Sequence, residues 1–86
     1  MKVTIGEKGL RCSLQRAFPK TTKCCRCGGT SRIGFVAHDS MDKAGQKIYN
    51  LHANKGKGNY WLHDRCAVAV YFCRDCLEPT ALCNQG

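Results

Sequence analysis

Eighty-six residues make one domain, or one domain with a tail, too small to be comfortably stable without metals, disulfides or a partner. Eight cysteines (Cys12, Cys24, Cys25, Cys27, Cys66, Cys73, Cys76 and Cys83) supply a candidate staple. The opening MKVTIGEKGLRC lacks the apolar run of a secretion signal, and the longest apolar stretch, Ala67 to Cys73, is too short to span a bilayer. The expected setting is therefore a reducing cytoplasm (or nucleus), where clustered cysteines read as metal sites rather than disulfides.

The formal net charge of +8 is concentrated early. Residues 1–34 carry eight Lys/Arg against Glu7 alone, whereas residues 60–86 are slightly acidic. Thiolates on bound metal trim this excess without cancelling it. A surplus of that size favours anionic partners, nucleic acid above all. A solubilising surface is the competing reading of the same charge.

Along the chain, residues 1–22 form a basic N-terminal segment, in which KVTI suits a short edge strand and Ser13 to Phe18 suits one or two helical turns stopped by Pro19. SRIGFVAH, Ser31 to His38, alternates as a strand, with Ile33, Phe35 and Ala37 on one face. Asp39 to Gly45 is turn material, and Gln46 to His52 reads as a returning strand that completes a hairpin. Ala53 to Asn59 is a Gly/Lys loop. From Tyr60 onward Trp61/Leu62, Cys66, Val70 and Cys73 fall at helical spacing, predicting a helix from about Asp64 to Cys76. Residues 78–86 are a tail without clear form.

Two half-sites for a metal stand out. Cys24-x2-Cys27, followed by Gly28-Gly29, has the spacing of a tight metal-binding knuckle whose N–H groups point at sulfur. His63-x2-Cys66 would put two ligands on one face of the predicted helix. Zn²⁺ takes four such ligands in a tetrahedron, so Cys24, Cys27, His63 and Cys66 form the expected site. One zinc, and at most two, is the expected cofactor complement. The order knuckle, β-hairpin, C-terminal helix is that of a treble clef, which predicts a small α+β zinc-stabilised domain over residues 23–77. Cys73, Cys76 and Cys83, completed by Cys12 or Cys25, are candidates for a second metal. A different partition, Cys24/Cys27 with Cys73/Cys76, leaves His63 and Cys66 without work.

YWLHDRC, Tyr60 to Cys66, together with KCCRC and SRIGFV, resembles the zinc fingers of the poly(ADP-ribose) polymerase type. That resemblance implies zinc ligation by Cys24, Cys27, His63 and Cys66 and binding to DNA ends or nicks through backbone and stacking contacts. A LIM-like module also uses C-x2-C followed by H-x2-C, and would imply a protein-binding adaptor.

The leading functional expectation is a non-enzymatic zinc module that binds nucleic acid, DNA more than RNA. Its contacts would be to phosphates, through Arg26, Arg32, Lys43, Lys47, Lys55 and Lys57. The alternative is an adaptor for an acidic protein surface, for example in transcription or replication. Catalysis is disfavoured. A treble-clef nuclease would need a metal-binding helix histidine separate from its structural zinc, and His63 is already assigned to that zinc. A thiol–disulfide role for Cys73-x2-Cys76 is disfavoured too, because the predicted helix would end there and its dipole would oppose the thiolate.

Overall fold

The computed structural model describes residues 1–39, 48 and 65–85, and its described residues form a five-stranded antiparallel sheet. The strands are β1 (Lys2–Ile5), β2 (Thr21–Lys23), β3 (Thr30–His38), β4 (Cys66–Cys73) and β5 (Pro79–Gln85). Their order is β1-β3-β4-β5, with β2 also paired to β3. β1 pairs with residues 35–38 of β3 and β2 with residues 30–32, so the two short strands share one edge and leave a notch between them. A 3-10 helix, Gly6–Cys12, leads out of β1.

β4 is the centre of the molecule. Its sequence CAVAVYFC carries two periods at once, and in the fold the period of two prevails. Ala67, Ala69, Tyr71 and Cys73 are fully buried on one face, while Val68, Val70 and Phe72 lie on the other. Valine and aromatic side chains suit a pleated surface, and pairing on both edges satisfies the backbone that a helix would have satisfied internally. From Cys66 to Cys76 the helix predicted over 64–76 is thus replaced by a strand and a turn. The treble-clef expectation, which depends on that helix, loses its basis, and among the described residues the α+β expectation reduces to a strand-rich arrangement with the short 3-10 helix Gly6–Cys12.

A bulge in β3 re-aims its side chains. Ile33 is opposite Tyr71, yet Phe35 is opposite Val70, so the register shifts by one at Gly34. Ile33 therefore turns toward the core while Phe35 and Ala37 turn away from it, against the single face expected for all three. The reason for glycine here is close approach: a Cβ at Gly34 would lie 2.6 Å from two ring carbons of Phe72.

The core lies on the inner face of the sheet, between Val36, Ala67, Ala69 and Tyr71 and the covering side chains Leu10 and Phe18. Burying Val36, Leu10 or Phe18 contributes about 1.5–3 kcal/mol each. Polar bonds fix the cover in place: the Tyr71 hydroxyl donates to the Pro19 carbonyl at 2.6 Å, and Phe18 N–H donates to the Leu10 carbonyl at 3.0 Å. Ser13 to Phe18 is not helical. The Ser13 hydroxyl accepts from Gln15 N–H and donates to the Arg16 carbonyl, local bonds that compete with helix formation. Residues 1–22 supply β1, the cover of the core and all of β2 but its last residue, and the residues after 78 supply β5.

Apart from Ile48, whose N–H donates to Asp39 Oδ1 at 2.7 Å, the returning strand expected over 46–52 lies outside the described residues, as do the Gly/Lys loop over 53–59, Trp61 and His63. Among the described residues, no helix is long and apolar enough to cross a membrane.

Candidate metal centre

β2 runs out into one turn and β4 into another, and the two turns meet. Cys24 and Cys27 come from the turn between β2 and β3; Cys73 and Cys76 come from the turn between β4 and β5. All four Sγ atoms lie within 4.8 Å of one another. Cys24 Sγ is 3.6 Å from Cys76 Sγ, and Cys27 Sγ is 3.5 Å from Cys73 Sγ. Four thiolates at a Zn–S distance of about 2.3 Å would have edges of about 3.8 Å, so the cluster has the dimensions of one tetrahedral site. Cys24 and Cys73 are buried and Cys27 and Cys76 are exposed, giving the site a dry side and a wet side.

The two turns repeat one backbone pattern. Cys24 N–H donates to the Gly29 carbonyl and Gly28 N–H to the Cys24 carbonyl; Cys73 N–H donates to the Glu78 carbonyl and Leu77 N–H to the Cys73 carbonyl. The residue after each second cysteine has positive φ, +77° at Gly28 and +63° at Leu77. These bends aim N–H groups at sulfur. Arg26 and Cys27 donate to Cys24 Sγ at 3.3 and 3.5 Å, Gly29 to Cys27 Sγ at 3.4 Å, and Asp75 to Cys73 Sγ at 3.4 Å.

Those donors and the crowding of sulfurs split the thiol acidities. The N–H groups of Cys27 and Arg26 pull the Cys24 pKa down to about 6. Asp75 and Cys76 N–H groups likewise lower that of Cys73. At Cys27 the Gly29 N–H favours the thiolate, but the Cys73 sulfur and partial desolvation within the cluster outweigh it and the pKa rises. At Cys76 the Glu78 N–H is outweighed by partial desolvation within the cluster and by the sulfurs of Cys27, Cys73 and Cys24, and the pKa is pushed up to about 12. Four negative charges do not fit in this space without a cation. The cluster could hold one metal ion by its donor chemistry as well as its size.

Of the expected ligands, Cys24 and Cys27 therefore take part, together with Cys73 and Cys76. Cys66 does not join them: it opens β4 while Cys73 closes it, a separation of about 23 Å along the strand. Its backbone instead exchanges bonds with the buried Asp39, whose Oδ2 accepts from Cys66 N–H at 3.0 Å. The proposed second cluster of Cys73, Cys76, Cys83 and Cys12 is dispersed. The first two belong to the centre just described, Cys83 lies on the outer face, and Cys12 packs against the core near Thr4 Oγ1. Exposed Cys25 points at Thr80 Oγ1, 3.8 Å away. The signal for the observed pairing is the plain recurrence of C-x2-C at 24–27 and 73–76, obscured in the sequence by the competing H-x2-C at 63–66.

Of the expected phosphate-binding residues, Arg26 lies in the first turn, 3.5 Å from Glu78 Oε2, and Arg32 lies on the outer face of β3. Lys43, Lys47, Lys55 and Lys57 lie outside the described residues. No family model matches the chain, and neither does any curated protein or solved structure.

Proposed function

We propose that the protein is a zinc-binding module, without catalytic activity, that holds nucleic acid, DNA in first place, through phosphate contacts. Zinc is favoured by four thiolate donors in tetrahedral dimensions, a Cys₄ set of the kind used in structural zinc sites such as ribbons. Cys24, Cys27, Cys73 and Cys76 hold it, and the N–H donors to their sulfurs stabilise the bound thiolates. Such a site contributes folding free energy on the order of 10 kcal/mol.

Charge carries the nucleic-acid reading. A four-thiolate zinc unit contributes −2 to the formal +8, leaving about +6. Lys20 and Arg32 line the notch between β1 and β2, Lys23 ends β2 beside the first metal-centre turn, and among the described residues none of the three has a carboxylate partner. Lysine and arginine free of internal ion pairs are available to phosphates. Binding of zinc-loaded protein to a fluorescent DNA oligonucleotide, measured across a salt series, tests the proposal. Affinity is expected to fall steeply with salt, and Arg32→Gln is expected to flatten the log–log slope by about one. Salt-independent binding, or none, sinks it.

An adaptor role is the second reading, favoured by apolar side chains exposed on the edge strand, Val3 at 59% and Ile5 at 80%.

A further inference from the structure

The outer face of the sheet changes character along its length. Toward β1 it is apolar, with Val3, Ile5, Phe35, Ala37, Val68 and Val70 in adjoining rows. Toward the metal end one row reads Thr21, Arg32, Phe72, Pro79 across four strands, and the next places Lys23 beside Thr30. An aromatic ring thus sits in register with an arginine on the same face, their Cβ atoms about 4.5–5.5 Å apart.

The Phe72 ring lies over Gly34. Two of its carbons occupy the space that a Cβ at Gly34 would enter, and Phe35 meets it tilted, with centroids 6.3 Å apart and an interplanar angle of 45°. Glycine beneath and Phe35 beside hold the ring, while 38% of Phe72 remains open to solvent. Adjoining it, the notch between β1 and β2 forms a cleft of about 260 Å³ lined by Gly6, Glu7, Lys20, Thr21, Arg32 and Ile33. Lys20 and Arg32 give this cleft two positive charges against the one negative charge of Glu7. Arg32 belongs to both features.

We infer that Phe72 is a stacking platform for a base of an unpaired nucleic-acid strand, with Arg32, Lys20 and Lys23 holding the adjacent phosphates. A paired base hides its π-face within the stack, whereas a single strand can offer a base to the ring and its backbone to the flanking cations. This inference rests on the nucleic-acid reading above and narrows it to single strands and to one residue.

The test compares zinc-loaded wild type, Phe72→Leu and Phe72→Trp for binding to a labelled 12-nucleotide oligothymidine, its RNA counterpart and a 12-base-pair duplex. Zinc content per chain checks that each variant is folded. Wild type is expected to prefer the single strands. Phe72→Leu, which still covers Gly34, is expected to lose about 5- to 150-fold in single-strand affinity, the usual worth of one stacked base. Phe72→Trp is expected to retain binding and to show fluorescence quenching on adding oligonucleotide, beyond any change in wild type. Full single-strand affinity in zinc-loaded Phe72→Leu, or a wild-type preference for duplex, overturns the platform while leaving phosphate binding standing. No binding to any of the three nucleic acids overturns both.

Discussion

The two turns that build the metal centre have the same hydrogen bonds and different sequences. Residues 24–29 read CCRCGG and residues 73–78 read CRDCLE. At the fifth position, where both backbones enter the left-handed region, the first turn has Gly28 and the second has Leu77. Glycine reaches that conformation freely, whereas a residue with a Cβ meets steric cost there. The comparison shows that the turn is imposed by what it must do, which is to close on the first cysteine and present N–H groups to sulfur, more than by local preference. A bound metal can offset a strained residue, because its contribution is several times larger.

The largest expected effect comes from breaking either turn at sulfur. Cys24→Ser or Cys76→Ser should each abolish stoichiometric zinc binding and lower the melting temperature of the chain sharply, read by native mass spectrometry and circular dichroism. The symmetry of the centre requires the two to behave alike. Cys66→Ala and Cys25→Ala should both keep one zinc per chain. Loss of zinc in Cys66→Ala, with Cys76→Ser unaffected, would restore the helix-based site and discard the one described.

A smaller effect is expected from protons. In the metal-free site at pH 7, Cys24, with its pKa near 6, is mostly thiolate, while Cys76, with its pKa near 12, keeps its proton. Zinc must displace at least that proton, so affinity rises about tenfold or more per pH unit from 7 toward 9. Below about 6 Cys24 protonates as well, and the dependence steepens. The same asymmetry acts on the metal-free fold. Stability from the depressed Cys24 is present above the ordinary thiol value of 9.0 and is lost as pH falls through 6. Stability from the raised Cys76 is present below 9.0 and is lost as pH rises toward 12. Competition with a chromogenic chelator between pH 6 and 9 measures the slope. A flat profile would mean that the four thiols are already ionised, contrary to their crowding.

Much of this centre is legible in the sequence, and the part that is not has a physical cause. β1 and β3 follow from alternation and β-branched content, and Cys24-x2-Cys27-Gly-Gly is readable as a knuckle from spacing alone. The second knuckle hides because CAVAVYFC satisfies both periods: Cys66, Val70 and Cys73 line up as a helix while 67, 69, 71 and 73 line up as a strand. Only the partners on either side, β3 and β5, decide between them. Leu77 hides the turn further, since it stands where glycine would have announced a positive φ. The face reversal at Gly34 is likewise tertiary: a glycine in a strand suggests a bulge, but nothing local says that Phe72 will cover it.

Exchanging the fifth residues sharpens the comparison of the two turns. Gly28→Ala should destabilise the zinc-loaded protein by about 0.5–1 kcal/mol: a left-handed residue bearing a Cβ costs about 1–2 kcal/mol, and the stiffer unfolded chain offsets about 0.5–1 kcal/mol of it. Space is not the obstacle there, because the added carbon would meet only Lys23 Cε at 3.7 Å. Leu77→Gly should act in the opposite sense and by a similar amount. It removes the same steric cost but adds about 0.5–1 kcal/mol of chain entropy to the unfolded state, leaving a gain of about 0.5–1 kcal/mol. Little burial is lost, since Leu77 is 73% exposed. Denaturant midpoints at fixed free zinc, with unchanged slope, read both variants. If Leu77→Gly lowers the midpoint, the exposed leucine contributes more to the second turn than its backbone strain takes away, and the two turns are not energetically equivalent despite their shared bonds.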